Sequence, residues 1–270
     1  MIDQPTRGDF TTHFNYIKCL NTLLQDISIE LAIHKTISMD SKAIKKFEKL
    51  AGLTEKSIDG ELAACKLEPE YAEVVAPWIP VKCYYLIYYL ESICLHLATG
   101  NIKMFKHGGH TYVRTTISSA LQKGQIKTVN GEIEKTISVG ELSNHRIRSG
   151  SNLSPSYFTS RDCIMSVRRK VAEYVERQWK DGQKIKGYRS KVDKAKRDKF
   201  YKERRTDLLE YFYQMRLKAN YKDVDYLDFE NDVTNNDAAA YITVYVASTK
   251  KYRNALVTEI KRLKALRLTT

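Results

Sequence analysis

Arg216, Lys218, Asn220 and Tyr221 fall within six residues of one another in the stretch TDLLEYFYQMRLKANYKDVDYLD, residues 206–228. An Arg placed where a helix meets a loop can grip a phosphate through two parallel hydrogen bonds, which a Lys cannot do. The positions around it predict that placement. Leu208, Leu209, Phe212 and Met215 recur at three- and four-residue spacing, as on the buried face of a helix. A helix continuing to Tyr221 puts Arg216 and Asn220 on one face, with Tyr221 at its edge. Asp223, Asp225 and Asp228 follow, and the competing reading is an amphipathic helix whose Arg pairs with those acids.

His110 is the second residue with chemistry available to it, near the start of the helical pattern GGHTYVRTTISSAL, whose Val113, Ile117 and Leu121 share a face. A lone His serves either as a proton acceptor in a site or as a hydrogen-bonding group in the packing. His107 lies three residues away, but no further His, Cys or acid stands near enough to complete a zinc site. The acids between Asp223 and Asp232 lack the Gly and the twelfth-position Glu of a calcium loop. No P-loop, dinucleotide fingerprint, nucleophile elbow or Cys-rich motif is present, so neither metal nor cofactor is expected.

Charge supplies a third signal. The 270 residues carry a formal charge of +13, and residues 161–222 hold 20 Lys and Arg against 9 Asp and Glu, a net of +11. Within them GQKIKGYRSKVDKAKRDKFYKERR interleaves cations with Tyr188, Phe200 and Tyr201. Such a surface suits a phosphate backbone with bases stacked on the rings; a solvated helix face reads the same way. The candidate nucleic-acid contacts are Lys184, Lys186, Arg189, Lys191, Lys194, Lys196, Arg197, Arg204, Arg205 and Lys218.

The elements that must position these groups are mainly α. Phe10, Phe14, Ile17, Leu20, Leu24, Ile27 and Leu31 step by three and four, predicting one long helix. Shorter helices broken near Gly52, Gly60 and Pro69 follow. VKCYYLIYYLESICLHLATG, opening at Pro80 and closing at Gly100, is apolar nearly all round and should be the centre of a bundle. Asn130-Gly131 between alternating runs predicts a β-hairpin. Ile164, Val167, Val171, Val175 and Trp179 mark a helix ending at Gly182, and the apolar face from Tyr241 to Leu263 marks a long terminal helix from Asn235 to Leu266.

An apolar fraction of 43% with 10% aromatics belongs to a folded chain. Five scattered cysteines without a C-x-x-C pair fit reduced thiols in a cytoplasmic protein. No signal-peptide pattern opens the chain, and Lys82, Glu91 and His96 interrupt its longest apolar stretch, so no membrane association is expected.

Taken in order, KCYYLIYYLESICLHLATGN, GGHTYVRTTISSAL, YFYQMRLKANYKDVDYLD and a long final helix resemble the HEPN superfamily (higher eukaryotes and prokaryotes nucleotide-binding), in particular its small prokaryotic members with an R-x-K-A-D/N-Y-like segment. The match covers roughly residues 80–121 and 200–266. It implies a helical bundle in three parts: residues 1–123 as N-terminal helices and the first half, 124–199 as an inserted hairpin, loop and basic helix, and 200–270 as the second half. It further implies a metal-independent endoribonuclease or related effector of prokaryotic defence or a toxin–antitoxin system, acting on RNA in preference to DNA. Its partners would be a second copy of the chain and an antitoxin or defence-complex protein. The alternative is a non-catalytic nucleic-acid-binding or adaptor subunit.

Catalytic members carry a His four to six residues after the Arg. Here Tyr221 stands at that distance from Arg216, and Asn220 occupies a place where related segments often have Asp. A phenol titrating near pH 10 is a poor base at neutral pH. The resemblance therefore casts Arg216 as the phosphate grip, Asn220 and Tyr221 as orienting groups, and His110 as the base if the fold brings it close.

Overall fold

A computed structural model describes residues 7–34, 38–142, 154–221 and 233–268. Among them the protein is mainly α-helical, with ten α-helices and two two-stranded sheets. The organising element is α4 (Ile79–Thr99), entered through Pro80 and closed by Gly100 at φ 69°. Nearly all of its residues are buried, as its all-round apolar sequence demands. It packs against α2 (Ser41–Leu67), α5 (Gly109–Gln122), α9 (Glu210–Tyr221) and α10 (Asn235–Leu268). Helix α1 (Arg7–Leu23) lies on α10 and on α7 (Arg161–Gly182). The short α3 (Tyr71–Val75) and α6 (Val139–Leu142) and the basic α8 (Lys191–Glu203) complete the set.

Three sequence expectations need correction. Helix α1 stops at Leu23 instead of running to Leu31. Ser28 and Ile29 form β1 (Ser28–Ile29), antiparallel to β2 (Ile126–Lys127). Next to it the Leu31 amide donates to Glu259 Oε1 at 2.8 Å, and Arg262 donates to the Leu31 carbonyl at 3.0 Å. Those partners on α10 satisfy backbone groups that a longer helix would have used. Helix α2 runs unbroken through Gly52 and Gly60. Each Gly costs roughly 1 kcal/mol relative to Ala, a loss offset by burying Ile44, Phe47, Ala51 and Ile58.

The third correction concerns Asn130-Gly131. The turn forms, with Gly131 at φ 63° and its amide donating to the Thr128 carbonyl, but its arms do not pair with each other. β2 pairs with β1, and β3 (Ile137–Ser138) pairs with β4 (Arg205–Thr206). Arg168, 1% exposed, explains the divergence. Its guanidinium donates to the carbonyls of Lys135, at 2.5 Å, and Glu132, while Ile133 is fully buried. Backbone acceptors that a hairpin ladder would have used are thus held by α7. The segment becomes a strap from the α1 end to β4, immediately ahead of α9, the helix that carries Arg216.

Candidate functional site

Helix α4 presents Tyr84, Tyr85 and Tyr88 toward the start of α5 and the middle of α9. The approach of α5 depends on Gly109. A β-carbon there would lie 2.4 Å from the Met104 carbonyl oxygen and 2.8 Å from Tyr88 Oη, a hydroxyl that itself donates to Met104 O at 2.7 Å. The bare backbone lets the first turn of α5 press onto α4 and seats His110 among the tyrosines. Its ring stacks on Tyr88 at 3.9 Å between centroids, and Nδ1 lies 2.8 Å from Tyr84 Oη.

Two guanidiniums border this ring cluster. Arg216 Nη2 donates to Tyr85 Oη at 3.0 Å, and its guanidinium carbon lies 5.6 and 5.4 Å from the Tyr84 and Tyr85 ring centres. Arg114, one turn beyond His110, sits 3.8 Å over Tyr213, whose ring is 5.5 Å from that of Tyr84. The charge of Arg114 also reaches Glu210, whose carboxyl it holds lower than burial alone would. Burial, then the charges of Arg216 and Arg114, push His110 down to about 4, so the imidazole is neutral at pH 7. Burial holds the Tyr84 phenol well above its ordinary value, and it keeps its proton. The cluster therefore joins an uncharged imidazole to two half-buried cations, an arrangement able to hold an anion and accept a proton beside it.

The fold thus brings Arg216 and His110 together from distant parts of the chain. Asn220 and Tyr221 lie in the last turn of α9, but their side chains fall outside the described residues, as do Asp223, Asp225 and Asp228. Of the expected nucleic-acid contacts, Lys184, Lys186, Arg189, Lys191, Lys194 and Lys196 are exposed. Arg197 is held by Asp198, and Arg205 donates to Thr136. Arg204 is committed to Glu210 at 2.5 Å. Lys218 turns inward, its ammonium 3.4 Å from Nε2 of the buried His13 and 5.7 Å from the Tyr174 ring.

Sequence reasoning missed Arg114. A signal existed: His110 and Arg114 stand four apart and therefore share a helix face. It also missed a cleft of about 300 Å³ bordered by Tyr84, Arg114 and Tyr213, with Glu91, Asp207 and Glu210 in its walls. Asp207 Oδ1 accepts from the Glu210 amide at 3.0 Å, capping α9. Burial raises both carboxyls and pushes Glu91, which accepts from Tyr252 Oη at 2.8 Å, up to about 8. No cluster of three His, Cys, Asp or Glu among the described residues could hold a metal ion, and no helix there is long and apolar enough to cross a membrane. Compared with known proteins, the chain matches no family model, no characterised relative and no solved structure.

Proposed function

We propose that the protein is a HEPN-like, metal-independent endoribonuclease whose site is built from Arg216, Arg114 and His110. One observation carries the reading: a neutral His110 sits within the electrostatic reach of two half-buried guanidiniums. A scissile phosphodiester would place its non-bridging oxygens on the two arginines. With its proton on Nδ1, directed at Tyr84 Oη, His110 offers Nε2 as acceptor. The ribose 2′-hydroxyl gives up its proton there as its oxygen bonds to phosphorus. The 5′-oxygen leaves with the electron pair of the broken P–O bond and takes a proton from solvent, giving a 2′,3′-cyclic phosphate and a 5′-hydroxyl end, and His110 later returns its proton to solvent. A base near 4 is weak before substrate arrives. Burial, the main cause, stays in place; the phosphate offsets the smaller contributions of the two arginines, and the proton affinity of His110 rises by that share when substrate binds. The exposed cations of residues 184–196 would gather the polyanion, and a second copy of the chain and a defence or antitoxin protein remain the partners of this proposal.

Those exposed cations also favour a second reading, a nucleic-acid-binding subunit without turnover. Cleavage of a mixed-sequence RNA in excess EDTA separates the two. The nuclease reading expects cyclic-phosphate ends and a loss of 10²-fold or more in Arg216→Ala and Arg114→Ala, the size found when one transition-state donor is removed. Binding with no cleavage by the wild type supports the second reading and ends the first.

A further inference from the structure

We infer that the cleft between α4, α5 and the start of α9 is a pocket for a single guanine base, next to the phosphodiester held by Arg114 and Arg216. This deepens the nuclease reading and rests on it. The two places share a wall, because Arg114, Tyr84 and Tyr213 line the cleft and also belong to the His110 cluster. A nucleotide whose phosphate lies on Arg114 has its base beside the cleft mouth.

Size, charge and hydrogen-bonding groups each narrow the occupant. A volume of about 300 Å³ is at the small end of ligand cavities, suited to one base and not to a run of chain. Tyr84, Ile87, Phe212 and Tyr213 make the lining partly apolar, as a site for a flat heterocycle requires. With Arg114 on the phosphate, Arg204 stands against Asp207 and Glu210, whose carboxyls burial raises, while Glu91 is largely uncharged at pH 7. That near balance favours an uncharged heterocycle over an anion or a cation.

The unused groups then choose among the bases. Glu210 is 8% exposed. Its Oε1 is held by Arg204 at 2.5 Å and Gln214 at 3.4 Å, which leaves Oε2 for a donor from a ligand. Guanine presents two adjacent donors, N1–H and the N2 amino group, on one edge and acceptors O6 and N7 on the other. The open oxygen of Glu210 is the complementary acceptor for those adjacent donors. Adenine offers a single donor group, and the pyrimidines leave much of the space unfilled.

The test is calorimetric titration of the full chain with GMP, AMP, UMP and CMP. Variants Glu210→Gln and Thr115→Trp accompany it; Thr115 is exposed at the cleft edge, so an added indole can block the mouth without entering the core. GMP should bind at least tenfold more tightly than the other three, and both variants should remove that preference. Equal binding of the four nucleotides, or a preference that survives Thr115→Trp, overturns the pocket whatever the RNA-cleavage assay gives. A guanine preference in a protein that cleaves no RNA upholds the pocket and removes the nuclease reading instead.

Discussion

Glu91 lies in the wall of the cleft, 7% exposed, with the Tyr252 hydroxyl on one oxygen. Burial is the main cause that lifts its carboxyl from 4.5 to about 8; the Tyr252 hydrogen bond opposes the rise and the nearby Asp207 adds to it. A carboxyl raised on folding contributes full stability below its unfolded value and loses it as pH climbs toward the folded value. The window therefore runs from about pH 4.5 to 8. At roughly 1.4 kcal/mol per pH unit, the whole interval amounts to about 5 kcal/mol, of which about 3–4 kcal/mol falls between pH 5 and 8. That is a large share of a total stability of about 5–15 kcal/mol.

Glu91→Gln keeps an acceptor for Tyr252 and removes the ionisation. Urea unfolding of both proteins at pH 5, 6, 7 and 8 measures the difference. The variant should lie within about 1 kcal/mol of wild type at pH 5 and exceed it by roughly 3 kcal/mol or more at pH 8. Glu210, which burial also raises, titrates in both proteins and drops out of the comparison; Asp207, whose charge acts on Glu91, leaves only that smaller coupling in the difference. Parallel pH profiles for the two proteins would refute the assignment of Glu91 as a buried neutral acid.

Further outcomes follow from the same geometry. NMR titration of the His110 ring should find it neutral down to about pH 4, with Arg114→Gln and Arg216→Gln each moving it upward; an unchanged titration in both variants would separate the arginines from the imidazole. Its folded value lies below the unfolded one, so His110 costs nothing at pH 7 and destabilises the protein as pH falls from about 6.5 toward 4. Gly109→Ala forces a β-carbon against a backbone carbonyl and should cost about 1–3 kcal/mol in thermal unfolding, with loss of the His110–Tyr88 stack; wild-type stability would contradict the close approach. Replacing the exposed Lys191, Lys194 and Lys196 by Gln should flatten the dependence of log K on log salt for single-stranded RNA by about 2, and an unchanged slope would move the polyanion elsewhere.

How much of this was legible beforehand depended on whether the signal was local. The central α4 announced itself because a helix apolar on every face has nowhere to go but the interior, and Pro80 and Gly100 mark its ends. Arg216 and His110 stood out by residue type and helix position, although nothing in their separation of more than a hundred residues says that Tyr84 and Tyr85 would lie between them. The hairpin failed for a non-local reason. Asn130-Gly131 specifies a turn and not the partners of its arms, and a buried Arg168 from another helix takes the carbonyls of Glu132 and Lys135. The same holds for Ile29 and Leu31: helical spacing continued through them, but β2 and side chains from α10 supplied better partners. Arg204 and Lys218 read as surface cations, yet Arg204 turns back onto Glu210 six residues on, and Lys218 meets His13, brought in from α1 by folding. The cleft could not be foreseen, since its walls come from α4, α5, the first turn of α9 and the residues just ahead of it.

The central claim is that Arg216, Arg114 and His110 act on one phosphodiester. Its most direct test is single-turnover RNA cleavage in excess EDTA by wild type, Arg216→Ala, Arg114→Ala and His110→Asn, with the product ends identified by mass spectrometry. The account predicts 2′,3′-cyclic phosphate ends from the wild type and a fall of 10²-fold or more in each variant. Cleavage at wild-type rate by all three variants, or none by the wild type, would contradict it.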